Sequence, residues 1–137
     1  MLQEDEDRRA LRRIITSGCP FVFAGTDSAP HLLSLKQRDL KAPGGMFTDH
    51  ASIELYAQVF EEENALPNLP AFLSENGPNF YGVPVNTEII TLRREPWTVD
   101  EMILVTGPVG TCHWICPFLY DENPENRQKI NWRIVAE

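Results

Sequence analysis

Hydrophobic and polar positions in the first third of the chain predict one helix, one strand and one long loop. Apolar residues recur at helical spacing in Asp5–Ser17, which predicts a helix that Gly18 ends by taking a positive φ. Phe21–Ala24 follows as an unbroken apolar run, typical of a strand buried on both faces in a parallel sheet or barrel. Gly25–His50 has no period and is too long for a simple connector, so we expect a functional or a mobile loop.

The middle of the chain predicts two further helices. Asp49 could cap the first, and one apolar face of that helix is formed by Ile53, Tyr56, Ala57 and Phe60. A second, shorter helix is indicated by Asn68, Pro70 and Gly77, as cap, early proline and terminal glycine, and Asn79–Gly82 is expected to form one further turn. The run Glu61–Glu63 near the end of the first helix is interpreted as a solvated acidic face.

Two later segments have the pattern of strands, Thr87–Arg93 and the alternation from Ile130 to Ile134. Helix, buried strand, long loop and helix together make one repeat of an α/β barrel or a doubly wound sheet. A strand of the Phe21–Ala24 type needs parallel neighbours, and no second such run follows it. We therefore expect this run to expose apolar surface, and the isolated chain to be poorly soluble or molten.

Composition excludes several classes of function. The 137 residues fit one domain, and 42% hydrophobic with 23% charged residues indicates a globular protein. The net charge of −8 argues against binding to nucleic acid. No apolar run approaches the roughly 20 residues of a membrane span, and the acidic N-terminus is unlike a signal peptide. Three sparse cysteines argue against a disulfide framework, so a reducing cytoplasm is the expected compartment.

The segment Gly25-Thr-Asp-Ser-Ala-Pro-His31 contains the strongest candidates for catalytic and binding residues. It follows the apolar run, at the end where α/β barrels place catalytic groups. Asp27 could ligate a metal or serve as a general base, and His31, held past a proline, could donate to a substrate carboxylate. A plain turn aspartate and an exposed loop histidine would be equally consistent with these residues.

This segment resembles, almost letter for letter, the last-strand motif of single-function dihydroorotases in the amidohydrolase superfamily. Three further stretches resemble the same family in the expected order. They are Tyr56-Ala-Gln-Val-Phe-Glu-Glu-Glu-Asn-Ala-Leu66, Asn76-Gly-Pro-Asn-Phe-Tyr-Gly-Val-Pro-Val-Asn86 and Ile90-Thr-Leu-Arg-Arg-Glu-Pro-Trp-Thr-Val99. The resemblance covers about Arg8–Met102 and concerns the C-terminal portion of the family only.

The resemblance implies the last strand–helix unit of a (β/α)8 TIM barrel plus a C-terminal extension, incomplete in this chain. It implies zinc-dependent, reversible hydrolysis of dihydroorotate to carbamoyl aspartate in pyrimidine biosynthesis, by a two-zinc enzyme that could be a homodimer when complete. By the same resemblance, Asp27 would bind the more buried zinc and shuttle the proton. His31 would bind the substrate carboxylate, and Gly44 would offer a backbone contact to substrate.

The remaining metal ligands of the family lie upstream of its aspartate motif, whereas this chain begins 26 residues before Asp27. His50 and His113 lie outside the motif, and one carboxylate cannot hold a catalytic zinc, which takes about three protein ligands. We therefore expect this chain alone neither to bind two zinc ions nor to turn over dihydroorotate, and to be a partial gene product. Whether it is an enzyme by itself stays open.

Three other interpretations compete with a dihydroorotase fragment. The chain could be an inactive remnant or an interaction module of the same origin. A hydantoinase-like amidohydrolase would share the strand-end aspartate, but the motifs after Phe80 argue against it. Cys112-His-Trp-Ile-Cys116 could be a metal cluster, but its spacing lacks a fourth ligand, and two half-buried strand cysteines are the simpler interpretation.

Overall fold

The computed structural model describes residues 4–37, 41–107 and 110–135 of the chain. Its elements are mixed, helical in the first half and mostly extended in the second. In chain order they are α1 (Asp5–Thr16), α2 (Leu33–Lys36), α3 (Ser52–Glu62), a 3-10 turn (Leu66–Asn68), a π-helical turn (Ala71–Glu75), α4 (Asn76–Tyr81), β1 (Thr91–Thr98), β2 (Ile103–Thr106), β3 (Cys112–Ile115), a second 3-10 turn (Pro124–Asn126) and β4 (Lys129–Val135). No helix among the described residues is long and apolar enough to cross a membrane.

The chain divides into two compact units. The first holds the residues up to Gly25, then Ile53–Arg94, and the chain from Trp132 onward. The second holds Thr26–Ser52 and Glu95–Asn131. All three predicted site residues therefore belong to the second unit.

Helices and a small aromatic core form the first unit. The predicted first helix is confirmed, and Gly18 follows it with φ 77°, where a side chain would be strained. The predicted apolar face of α3 is confirmed too, since Ala57 and Phe60 are fully buried. They pack with two residues of the next helical segment to make the core, Leu69 and Phe72.

The next helical segment does not break where its sequence pattern predicts. Gly77 is the predicted end, but the helix continues through it into the expected turn at Asn79–Gly82, and Gly82 ends α4 with φ 67°. Asn68 was the predicted cap, but its side-chain amide instead donates to the Thr16 carbonyl oxygen at 2.8 Å. The Asn68 side chain, which the local pattern assigned to capping, therefore makes a tertiary hydrogen bond instead.

Phe21–Ala24 is not a strand, and the prediction of a buried strand is wrong for this chain. Phe21 is 82% exposed and the run is only partly buried. Its backbone pairs with a helix instead, as the Ala24 N–H donates to the Phe72 carbonyl oxygen at 3.1 Å. A strand exists only where another strand completes its hydrogen bonds, and no described strand lies beside this run. The expected exposure of apolar surface is confirmed at Phe21, whereas Val22 and Ala24 are partly buried against the core.

The two C-terminal strand predictions have different outcomes. Strand β4 contains the predicted alternation, with Ile130 fully buried, and it pairs with β1. Strand β1 begins at Thr91 and ends at Thr98, later than the predicted Thr87–Arg93. Ile89 and Ile90 precede it and are 84% and 55% exposed.

The glutamates at the end of α3 are paired, which corrects the interpretation of a merely solvated face. The Arg12 guanidinium donates to Glu62 at 2.6 Å and to Glu63 at 2.7 Å. Glu61 accepts from Arg94 and, at 2.9 Å, from the Trp132 indole nitrogen. Hydrogen bonds to Glu62, partly opposed by desolvation, raise the pKa of Arg12. Cations thus neutralise acids that the helix dipole alone would disfavour.

In the second unit, a β-hairpin accompanies the long loop. Strands β2 and β3 run antiparallel, with Ile103 opposite Ile115 and Thr106 opposite Cys112. In its described part, residues 25–37 and 41–50, the loop adds the single turn of α2 and two isolated bridges, one of them between Leu32 and Ile115. Of the two cysteines predicted on a strand, Cys112 is exposed in β3, and Cys116 is half-buried just after it.

Candidate functional site

Asp27 occupies an unusual backbone conformation. Its φ is 44°, in the left-handed region, and its side chain is exposed. A non-glycine residue there costs about 1–3 kcal/mol and persists only when neighbouring contacts hold it. Aspartate tolerates this region better than most residues, because its short side chain can bond locally. The aspartate is thus presented at the surface of the second unit by a strained turn.

Hydrogen bonds that the Ser28 hydroxyl accepts hold this segment in place. The Ser28 hydroxyl accepts from the backbone N–H of Thr48 at 3.0 Å and of Asp49 at 3.2 Å. The Thr26 hydroxyl donates to the Asp49 carboxylate at 3.2 Å. These bonds join the motif to residues about twenty positions later, so the motif is not a free loop. The predicted helix cap, Asp49, thus accepts a hydrogen bond from the motif.

His31 follows a tight turn centred on a proline. Its backbone N–H donates to the Ala29 carbonyl oxygen at 2.8 Å, the pattern of an inverse γ-turn at Pro30. The imidazole is half-buried and lines a cavity of about 390 Å³. Other residues of that lining come from the loop and from the segment after β3, and include Lys36, Gly45, Phe47, Cys116, Phe118 and Leu119. The expectation of a constrained turn before His31 is confirmed.

The glycine-rich loop is fixed by a lysine that the sequence did not single out. The Lys36 ammonium donates to the carbonyl oxygens of Pro43 at 2.7 Å and Gly45 at 2.8 Å. Gly45 has φ 87°, and a Cβ there would lie 2.6 Å from the Ala29 Cβ. Gly45 is therefore required both for its conformation and for a close approach to the motif. Gly44 beside it is exposed, with open space around an added Cβ.

Of the three predicted site residues, only His31 lines this cavity. Gly45, the neighbour of Gly44, lines it as well. Asp27 and Gly44 are not among the residues of that lining. The sequence also missed Cys116–Leu119, which completes the cavity from more than 80 positions later in the chain. No local pattern in the sequence marks this contribution, because it depends on a long-range pairing.

The pairing that carries this segment to the loop is a short backbone contact. Phe47 and Pro117 form an isolated parallel bridge, and the Phe118 N–H donates to the Phe47 carbonyl oxygen at 2.8 Å. Burial, followed by the charges of Glu122 and Asp121, raises the pKa of the Cys116 thiol above its ordinary value. The thiol in the cavity wall is therefore protonated at neutral pH and is a weak nucleophile.

The described residues do not form a zinc site. Among them, no group of three or more His, Cys, Asp or Glu side chains is placed to hold a metal ion. Asp27 by itself offers one carboxylate, fewer than the roughly three protein ligands of a catalytic zinc. A metal at Asp27 would thus require ligands beyond the residues that the structure describes.

Comparison with curated proteins finds dihydroorotases. The chain is 50% identical to the dihydroorotase of Aliivibrio fischeri over 101 residues, which are 74% of this chain and 29% of that protein. It is 39% identical to that of Erwinia tasmaniensis over 135 residues, 98% of this chain and 36% of that protein. The chain thus spans about a third of the length of the curated relatives it matches. No family model matches it.

Solved structures give the same result. A yeast dihydroorotase in complex with 5-fluoroorotic acid, from Saccharomyces cerevisiae, matches 98% of this chain and 35% of its own, with TM-score 0.81 and 30% identity. The dihydroorotase of Campylobacter jejuni matches 99% of this chain with TM-score 0.74 at 22% identity, a likeness of fold alone. In sequence and in fold, the chain is similar to the C-terminal portion of dihydroorotases.

Proposed function

We propose that this chain forms the C-terminal part of a dihydroorotase whose active site is completed by residues outside it. The reaction is the reversible hydrolysis of the cyclic amide of dihydroorotate to carbamoyl aspartate, in the cytoplasm. The chain would supply the last strand–helix unit and the C-terminal extension of a (β/α)8 barrel. The order of four family-like segments and the match to a third of each relative support this assignment.

The observation that carries the proposal is the cavity beside His31. Its volume of about 390 Å³ lies in the range of small-molecule sites. The half-buried imidazole can donate a hydrogen bond to a carboxylate, and both dihydroorotate and carbamoyl aspartate carry one. The backbone at Gly44, next to the lining residue Gly45, can add a second polar contact. A mostly apolar cavity with few polar groups suits a small, flat, carboxylated ring.

Asp27 is proposed to move the proton. Opening a cyclic amide requires a proton to leave the attacking water and a proton to reach the departing ring nitrogen. An ionised carboxylate can accept the first at its oxygen and return it to the nitrogen, which regenerates the carboxylate. The second proton of the water stays on the new carboxyl group and is released when that group ionises. Strained turns at functional sites hold such groups in one orientation, and Asp27 sits in one.

We propose zinc binding only for the complete enzyme, in which further ligands are present. Dihydroorotases are zinc-dependent as a family, and bound zinc there acidifies water and polarises the amide carbonyl. Asp27 would be one ligand, and the others would come from another part of a longer polypeptide or from another chain. A homodimer of the complete enzyme is a further proposal of the same kind.

Replacing Asp27 in the polypeptide that carries this sequence tests the proposal. The native protein would be isolated from its own cells through a tag at its C-terminus, its mass measured, and its turnover of dihydroorotate assayed. Asn should tolerate the positive φ of residue 27 as Asp does. We therefore expect Asp27→Asn to remain folded while kcat falls by at least about 100-fold, because proton transfer is lost.

Asp7→Asn is the matched control, since Asp7 is an exposed carboxylate on α1 in the other unit. It should leave kcat unchanged. A native protein of only 15.6 kDa without turnover would refute the proposal. That result would favour the inactive remnant or interaction module, which the exposed side chains of Phe21 and Ile89 also permit.

A further inference from the structure

A β-turn after β3 places an apolar side chain in the His31 cavity. The turn spans Pro117–Tyr120, closed by the Tyr120 N–H, which donates to the Pro117 carbonyl oxygen at 3.1 Å. Leu119, its third residue, has φ 68°. Turns with positive φ at this position favour Gly or Asn, because a larger L side chain is crowded by its own backbone. A leucine there is an outlier.

The turn cannot relax independently of the loop that faces it. The Phe118 N–H donates to the Phe47 carbonyl oxygen at 2.8 Å, and Phe47 and Pro117 form a bridge. Phe47 follows the glycine-rich loop directly, and Lys36 anchors that loop through the Gly45 carbonyl oxygen at 2.8 Å. Contacts on both sides therefore hold the strained residue in place.

Core packing does not account for a leucine at this strained position. Leu119 is only half-buried, and part of its surface lines the cavity. Among the described residues of that lining, only Leu119 and Gly45 have a positive φ. Glycine or asparagine would close the turn with less strain, so what leucine adds is apolar surface within the cavity. Strain retained at a cavity wall is a pointer to function.

We propose that Leu119 is a specificity-determining residue of this cavity, an inference that rests on the proposed function. Its side chain contacts the apolar ring edge of a small cyclic carboxylate whose carboxylate group binds His31. The leucine thus favours small carboxylic acids that present an apolar edge opposite the carboxylate over acids with a polar group at that position. Phe118, also in the lining, makes the same wall broader.

The test compares Leu119→Gly and Leu119→Asn in the full native polypeptide. Both residues suit a positive φ, and both remove the apolar contact. We expect the KM for dihydroorotate and the inhibition constant of 5-fluoroorotic acid to rise about tenfold each, with kcat nearly unchanged, because loss of one apolar contact weakens binding by about that factor. The midpoint of thermal unfolding should not fall in Leu119→Gly, since relief of backbone strain offsets lost contacts.

Leu104→Asn is the control, because Leu104 is a half-exposed leucine of β2 outside the cavity lining. It should leave KM and the inhibition constant unchanged. Unchanged constants in both Leu119 variants of an active polypeptide would overturn the inference alone, as would a lower thermal midpoint with unchanged KM. Absence of turnover in the unmodified native polypeptide would overturn the proposed function, and this inference with it.

Discussion

The two units of the chain are stabilised in different ways. The first is helical, and its core is a compact group of apolar side chains around Phe60 and Phe72, whose rings lie 5.2 Å apart. In the second, the described part of the long loop contains one helical turn, and polar side chains fasten its backbone. Ser28 and Lys36 each bond to two backbone groups there. Three of its residues that matter to the site have positive φ: Asp27, Gly45 and Leu119.

The difference shows where this chain concentrates strain. Non-directional apolar packing stabilises the first unit. Among its described residues one non-glycine residue, Asn64, has a positive φ, whereas the second unit has two, Asp27 and Leu119. Directional hydrogen bonds in the second unit hold backbone conformations that would not persist by themselves. The candidate binding residues lie in the second unit, where such hydrogen bonds can hold a side chain in one orientation.

The largest effect is expected from emptying the core of the first unit. Phe60→Ala removes a fully buried ring, and the free energy of unfolding should fall by about 3–5 kcal/mol. Urea denaturation of the polypeptide carrying this sequence measures it. Val59→Ala, at a half-buried position of the same helix, should cost less than half as much. Equal losses in the two variants would contradict the assignment of the core.

A smaller effect is expected from adding one carbon atom to the loop of the second unit. Gly45→Ala combines a positive φ with a Cβ 2.6 Å from that of Ala29, and should destabilise by about 1–3 kcal/mol. Urea denaturation or the protection of the nearby amides against hydrogen exchange measures this loss.

The neighbouring glycine provides the control for that variant. Gly44→Ala meets open space and should change the free energy of unfolding by less than about 0.5 kcal/mol. Ala29→Gly removes the opposing Cβ, so the double variant with Gly45→Ala should recover part of the loss and leave the cost of the positive φ. If Ala29→Gly restores nothing, the close approach between motif and loop is wrong.

The smallest effect concerns the reactivity of a thiol in the cavity wall. Burial and nearby acids raise the pKa of Cys116 above its ordinary value, so its thiolate fraction at pH 8 is lower than that of an ordinary thiol. With Cys19 and Cys112 replaced by Ser, alkylation of Cys116 by iodoacetamide should be several times slower than alkylation of Cys112 in the corresponding single-cysteine variant. Its rate should still be rising at pH 9. Equal alkylation rates of Cys116 and Cys112 at pH 8 would contradict the burial of the Cys116 thiol.

The sequence predicted the helices of the first unit well and its extended segments less well. The helix that Gly18 ends and the buried face at Ala57 and Phe60 followed from spacing alone, because i to i+4 contacts are local. Phe21–Ala24 was mispredicted, because a strand depends on partners elsewhere in the chain. Gly77 was mistaken for a helix end because Gly82, five residues later, makes the left-handed turn instead.

In the candidate site, too, the sequence identified residues in a contiguous motif and missed those that depend on long-range contacts. Asp27 and His31 could be selected from the sequence, by their chemical types and by a family-like motif that is contiguous. Neither Lys36 nor Leu119 could be, since their roles arise from backbone contacts across 7 or more positions and from a bridge between Phe47 and Pro117.

The sequence by itself determined the local helices, the absence of a nucleic-acid-binding charge pattern, and the similarity to one family through four ordered segments. Only the tertiary structure decided that the apolar run at Phe21 pairs with a helix, that His31 lines a cavity, and that a strained leucine shares that cavity. Local periodicity specifies which residues can be buried together on one element. Hydrogen bonds and packing between distant segments decide which backbone groups find partners, and therefore where strain and a binding cavity can exist.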